Sequence, residues 1–258
     1  MFGFVIKKAF FDLWDHFLPA MIINLGFIVL LSIPVFLPQY LQPLGSWAAI
    51  LMFVIGVLVV FAYLGGINGL ARSIADFGSI SWAEFARSLR ENLVTSLLFG
   101  LVVVAHIGLL MVGIPVYSSF NSFFGLLAIA ILFWMSVIWW LAAQFVLPVR
   151  TRLATKFGQV LKKALLVTFD NIGFSIALAI GGFVIIAISF VTAFLVPGIA
   201  GLAIWYQVAL RLRLYRYDYL EAHPDTRRAD IPWDELLYDD RERVGKRTFR
   251  GMIFPWKE

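Results

Sequence analysis

The chain has 258 residues, of which 61% are hydrophobic and only 14% are charged. This composition excludes an ordinary soluble domain, in which about a quarter of the residues are charged, and it indicates a protein whose solvent is the lipid bilayer. We interpret the net charge of +5 as a signal of membrane topology and therefore expect no nucleic-acid partner. The chain has no cysteine, which excludes disulfides and thiolate chemistry.

Three long stretches of the chain contain no Asp, Glu, Lys or Arg, and they define the predicted architecture. They cover residues 16–71, 92–149 and 171–210. One crossing needs roughly 20 apolar residues, so each stretch suits two crossings joined by a turn. The six predicted spans lie, in chain order, near 18–37, 47–70, 93–114, 123–147, 172–195 and 199–215. Helix-breaking residues occur where the turns are needed, namely Pro38, Pro43, Gly45, Pro115, Asn121, Pro197 and Gly198.

The predicted fold class is all-α, a polytopic transmembrane helical bundle of three hairpins, because backbone groups in lipid must be satisfied within each segment. All 21 Lys and Arg residues lie outside the three uncharged stretches. Since every hairpin returns to its starting side, this bias predicts both termini in the cytoplasm and a bacterial inner-membrane location. Residues 1–216 form the predicted membrane domain, and residues 217–258 form a cytoplasmic tail. Lys7 and Lys8 precede an apolar segment as in a signal peptide, but no cleavage site follows, which indicates an uncleaved first helix.

The three stretches begin alike, which suggests an internal repeat with units near 1–72, 80–150 and 155–216. Each begins after an acid followed by His or Asn: Asp15 and His16, Glu91 and Asn92, Asp170 and Asn171. Each hairpin is expected to follow an interfacial amphipathic helix, and Ser81 with Glu84 forms a capping-box pair at the start of the second. The acidic and polar pairs are interpreted as helix caps, with a recurring ligand site as the alternative.

His106 is the polar residue that stands out inside the predicted spans, because titratable groups in lipid are expensive. Its imidazole needs a hydrogen-bond partner, and Asn24, Gln144, Gln207 or Tyr206 could supply one. We expect a packing role for this histidine. The alternative is a ligand or proton site, which would make the chain a facilitator or a transporter of lipids or small solutes with an intramembrane pocket near His106.

The sequence contains no pattern of a catalytic, metal or cofactor site. The histidines at 16, 106 and 223 are too far apart to share a helix turn, which argues against zinc. A Gly-rich phosphate loop ending in Lys and Ser or Thr is also missing. The sequence therefore predicts a protein that is not an enzyme and needs no cofactor.

The tail combines aromatic and basic side chains in a segment too polar to enter lipid. Its candidate contact residues are Trp233, Arg247, Phe249, Arg250, Phe254 and Trp256. Such residues can dock on the chain itself or the membrane surface, and they can equally bind a partner protein, so both readings stay open.

The order of interfacial helix, hairpin, and a loop before two further spans resembles the YesL-like family of bacterial membrane proteins. The similar stretches are Ala164, Leu165 and Leu166 before Asp170 and Asn171, and residues 202–215 leading into arginines. The tail after Tyr217 lies outside this resemblance. No activity is established for that family, and accessory roles near carbohydrate uptake systems are suspected. The expected function is therefore that of an accessory or scaffold subunit that binds a membrane or cytoplasmic partner through its cytoplasmic face.

Overall fold

The computed structural model describes residues 1–225, 227 and 230–247. Helices make up 86% of the structure, and the described part contains no strand, which confirms the all-α fold class. The helices are α1 (Phe2–Asp15), α2 (Phe17–Leu41), α3 (Ser46–Ala75), α4 (Trp82–Ser119), α5 (Phe123–Arg152), α6 (Phe157–Asp170), α7 (Ile172–Val191), α8 (Gly198–Ala222), α9 (Trp233–Leu236) and α10 (Tyr238–Val244).

Five of these helices are long and apolar enough to cross a membrane, namely α2 with the short turn that follows it, α3, α4, α5 and α7. The sixth predicted span falls in α8, where Arg211, Arg213 and Arg216 end the uncharged stretch. The part of α8 before Arg211 measures about 20 Å at 1.5 Å per residue, which is shorter than the hydrocarbon core. Helix α8 therefore differs from the five helices that are long enough to cross a membrane, because its apolar part is too short.

Helix α8 packs against five other helices, α1, α2, α3, α5 and α7. Helices α3 and α4 have the most extensive contact of any pair, and glycines let their backbones approach. A Cβ atom on Gly69 would lie 1.6 Å from the hydroxyl of Ser88, and one on Gly65 would lie 2.3 Å from that of Ser96. At Gly69 the Cβ of Ser88 would also lie only 2.4 Å away, so a side chain larger than hydrogen there would force the two helices apart, whereas at Gly65 the Ser96 hydroxyl would have to rotate away.

The three junctions that suggested a repeat are not alike in the structure. The chain breaks at His16 between α1 and α2, and at Asn171 between α6 and α7. At the second junction, α4 continues without a break through Glu91 and Asn92, so the prediction of a separate interfacial helix there was wrong. The reason lies in the side chains: Asn171 accepts a hydrogen bond from the amide of Phe174 and caps α7, whereas Asn92 donates to the carbonyl of Gly65 across the α3–α4 interface.

An amide side chain from α2 forms three hydrogen bonds to the connection between α7 and α8. Asn24 is fully buried. Its Nδ2 donates to the carbonyls of Leu195 and Pro197, both at 2.9 Å, and its Oδ1 accepts from the amide of Ala200 at 2.8 Å. The hydroxyl of Ser189 accepts from the amide of Gly198. Backbone groups that no helix satisfies are therefore bonded by side chains, as an apolar environment requires.

We predict that Asn24→Ala destabilises the chain by about 3 kcal/mol, because two buried backbone groups, the carbonyl of Leu195 and the amide of Ala200, lose their hydrogen bonds to this side chain. The carbonyl of Pro197 still accepts from the amide of Gly201. The measurement is the free energy of unfolding in detergent micelles. Ser32→Ala is the matched control, since the Ser32 hydroxyl is exposed and bonds only within its own helix. Equal stability of the two variants would contradict the role assigned to Asn24.

Candidate functional site: the charged face

The structure does not bring His106 together with the polar residues proposed as its partners. The imidazole packs against Trp139 and Trp140, with ring centroids 6.2 and 5.8 Å away. Its Nε2 is buried and has no hydrogen-bond partner in the part of the chain that the structure describes. Aromatic packing is therefore the observed environment of this histidine.

The two glutamines connect helices instead. Gln144 of α5 donates its side-chain amide to the carbonyl of Ser175 in α7 at 3.0 Å. Gln207 of α8 is fully buried and accepts from Nε of Arg152 at 2.9 Å, while its amide donates to Thr151. Gln207 thus belongs to a network at the end of the bundle where the charged segments meet, which we call the charged face.

Asp76, the residue directly after α3, is the centre of this charged face. Its carboxylate pairs with Arg152 of α5 and Arg211 of α8, both at 3.0 Å, and with Arg72 of α3 at 3.6 Å. The side chains of Arg152 and Arg211 are 8% and 15% exposed, whereas that of Asp76 is 36% exposed. Three helices are therefore joined at one carboxylate that still reaches water.

A second carboxylate fixes α6 to α8. Asp170, the last residue of α6, accepts from Arg213 at 3.1 Å, from Arg216 at 3.3 Å and from the hydroxyl of Tyr217 at 3.0 Å. Both arginines are buried. Because buried guanidinium groups need a carboxylate to offset lost hydration, this junction is a fixed contact of the fold.

Helix α1 contributes a buried ion pair to the charged face. Nζ of Lys8 lies 2.8 Å from a carboxylate oxygen of Asp12, and both residues are buried. Burial, partly offset by the charge of Lys8, raises the pKa of Asp12 to about 6. Burial likewise lowers the pKa of Lys8, against the opposing charge of Asp12. Desolvation therefore acts on both partners in the direction of the neutral pair.

Phe77 gathers cations from three parts of the chain. Nζ of Lys8 lies 3.5 Å from the ring centroid, and the guanidinium carbons of Arg211 and Arg243 lie 5.3 and 5.2 Å from it. The residue has φ 58°, a left-handed conformation that is unfavourable for a bulky side chain. The ring therefore offsets this backbone cost by cation–π contacts with α1, α8 and the tail.

The described part of the tail docks on the rest of the chain. Leu237 and Val244 are buried, and Asp240 accepts from Arg211 at 2.9 Å. Arg247 pairs with Asp15 at 2.7 Å and lies over the ring of Phe11. Trp233 is partly buried against the core cluster. The other tail candidates, Phe249, Arg250, Phe254 and Trp256, lie outside the described residues.

Sequence analysis did not single out the residues that organise the charged face. Asp76, Arg152 and Arg211 come from three distant segments, and no local spacing connects them. The sequence contains a weak signal for them. Asp76 lies four residues after Arg72, Arg211 directly follows the third uncharged stretch, and Arg152 lies three residues after the end of the second. The described residues hold no group of three His, Cys, Asp or Glu side chains placed to bind a metal.

Comparison with known proteins identifies no relative of this chain. No protein-family model matches the chain, and neither a curated protein nor a solved structure matches it.

We predict that Asp76→Asn lowers the free energy of unfolding by about 2 kcal/mol, because Arg152 and Arg211 keep their buried charges and lose a carboxylate. Breaking a fully buried pair costs about 3 to 5 kcal/mol, and the partial exposure of Asp76 reduces the value. The matched control is Asp234→Asn, which removes an exposed carboxylate from its pair with Arg241. That substitution should cost less than about 0.5 kcal/mol. Equal losses in both variants would show that Asp76 is an ordinary surface acid.

Proposed function

We propose that the chain crosses the bilayer six times with both termini in the cytoplasm, as three hairpins in a bacterial inner membrane. Three observations support this topology. The apolar helices alternate with short charged segments, the charged segments are joined at one face, and the two terminal segments touch. Lys7 donates to the carbonyl of Gly245, and Arg247 pairs with Asp15.

We further propose that the chain is a non-enzymatic accessory or scaffold subunit that binds a partner through the charged face. The observation that carries this proposal is the docked tail. The inner side of α10 is fixed by Leu237, Asp240 and Val244, whereas Tyr238, Asp239 and Glu242 are exposed on its outer side. A rigid helix with exposed polar and aromatic side chains can bind a partner at a low cost in conformational entropy.

The resemblance to the YesL-like family agrees with this role and names the first partner class to test, the membrane components of carbohydrate uptake systems. The facilitator alternative has less support, because His106 is packed between two tryptophan rings and its predicted polar partners bond elsewhere.

The topology is tested with single cysteines, since the chain has none of its own. A membrane-impermeant maleimide should label Gln42→Cys, Ser119→Cys and Ala193→Cys from the outside, and Asp225→Cys only from the inside. Labelling of position 42 or 119 on the same side as position 225 would overturn the hairpin arrangement. If position 193 is labelled from neither side, the α7–α8 hairpin ends within the bilayer, and the number of full crossings is four.

The scaffold role is tested by purification in mild detergent. We expect one protein to co-purify in a fixed ratio, and Asp239→Arg with Glu242→Arg to remove it by charge reversal at exposed positions of α10. Asp225→Arg is the control, because it reverses an exposed acid outside that helix. A lone monomer in every preparation, or equal loss of the partner in the control, would contradict the proposal.

A further inference from the structure

A polar cleft of about 770 Å³ opens at the charged face. Its walls are the end of α3, the first turns of α4 and the connection between α5 and α6. Small-molecule sites have volumes of roughly 300 to 1,000 Å³, so the cleft is large enough for one. Most such sites are lined by apolar side chains, whereas this one carries four arginines and three acids, which indicates a charged ligand.

The α4 wall alternates acidic and basic charge along one side of the helix. Glu84, Arg87 and Glu91 occupy positions i, i+3 and i+7, so their side chains share one face. Glu84 accepts a hydrogen bond from the hydroxyl of Ser73. Arg87 and Glu91 are exposed, and neither forms an ion pair with any residue described by the structure. These two side chains are therefore available to a ligand.

The opposite wall adds a second cation without a carboxylate partner. Arg72 and Arg152 share Asp76. Arg150 donates instead to the hydroxyl of Thr95 at 3.1 Å and to the backbone carbonyl of Glu91. These two bonds fix the guanidinium in place without neutralising it. The cleft thus holds two cations and two acids, Arg87 and Arg150 with Glu84 and Glu91, that have no opposite charge within ion-pair distance among the described residues.

The two signs together decide the class of ligand. A simple anion would be repelled by Glu84 and Glu91, and a simple cation would be repelled by Arg87 and Arg150. A ligand with one group of each sign satisfies all four. The paired N–H groups of a guanidinium can bind two oxygens of a phosphate, and carboxylates accept hydrogen bonds from the N–H groups of an ammonium.

The depth of the cleft indicates at which level of the membrane such a ligand would bind. The uncharged stretch of α4 begins at Asn92, and that of α5 ends at Val149, directly before Arg150. The cleft therefore lies where the apolar part of the bundle begins, which is the level of lipid headgroups for a membrane-spanning chain. We propose that the cleft binds phosphoethanolamine, presented either as the headgroup of phosphatidylethanolamine or as a soluble phosphate ester.

The test uses the full chain in lipid nanodiscs and native mass spectrometry to measure retained lipid. We expect phosphatidylethanolamine to be retained at least about tenfold more tightly than phosphatidylglycerol, which lacks the ammonium, or phosphatidylcholine, whose quaternary nitrogen has no N–H. Arg87→Gln and Glu91→Gln should each weaken retention by about tenfold. Arg90→Gln, an exposed arginine of α4 that does not line the cleft, should leave it unchanged.

Soluble phosphoethanolamine, titrated into the detergent-solubilised chain, separates the two sources. Binding of the lipid alone assigns the headgroup, and binding of the soluble ester alone assigns a soluble ligand; both support the proposal. Equal retention of phosphatidylglycerol with no effect of Glu91→Gln would overturn it, as would an effect of Arg90→Gln as large as that of Arg87→Gln. Failure of both forms to bind would also overturn it. The melting temperature checks that each variant folds, and if one does not, competition between the two forms on the unsubstituted chain decides.

Discussion

The shared carboxylate of Asp76 is the interaction on which the arrangement of the charged face depends. Guanidinium groups of α3, α5 and α8 converge on it, and Arg211 continues from it to Asp240 in the tail. In lipid, apolar surface does not drive one helix against another, so alignment depends on close packing and polar bonds. The glycine contacts between α3 and α4 provide the close packing, and the ion pairs of Asp76 provide the polar bonds at the charged face. Together they fix the register of helices that come from distant parts of the chain.

Within the apolar part of the bundle, uncharged amide and hydroxyl side chains form the hydrogen bonds that connect the helices. Asn24 bonds the α7–α8 turn, Gln144 bonds α5 to α7, and the Ser189 hydroxyl accepts from the amide of Gly198. An amide satisfies buried backbone groups without the cost of bringing a charge into lipid. The buried charges lie at the charged face, where an opposite charge or a carbonyl is within reach. The polar residues named above therefore connect the long apolar helices to one another, and His106 differs in that its Nε2 has no such bond among the described residues.

The helices were largely predictable from the sequence, because the uncharged stretches are local features. Two of the predicted helix breaks were wrong: α2 continues through Pro38 to Leu41, and α4 continues through Pro115 to Ser119. The predicted spans near 47–70 and 123–147 fall inside α3 and α5, and the caps at Ser81 and Asn171 form as capping chemistry predicts. The second junction was not predictable, since Asn92 and Asn171 look equivalent until their neighbours are known. The same holds for the charged face: no spacing in the chain shows that Asp76 meets Arg152 and Arg211, or that Phe77 meets Lys8. Only the α4 wall of the cleft, with Glu84, Arg87 and Glu91 on one helix face, could have been found from spacing alone.

The two proposed surfaces meet at Asp76. Arg72 and Arg152 line the cleft and pair with this carboxylate on one side, while Arg211 pairs with it on the other and carries the contact to Asp240 of α10. A phosphate near Arg72 or Arg152 competes with Asp76 for their hydrogen bonds and leaves more of the carboxylate to Arg211. On this proposal, the charge that holds the tail depends on what occupies the cleft. Thermodynamic linkage makes such a dependence reciprocal: if a ligand in the cleft changes the affinity for a partner at α10, that partner would change the affinity for the ligand by the same factor.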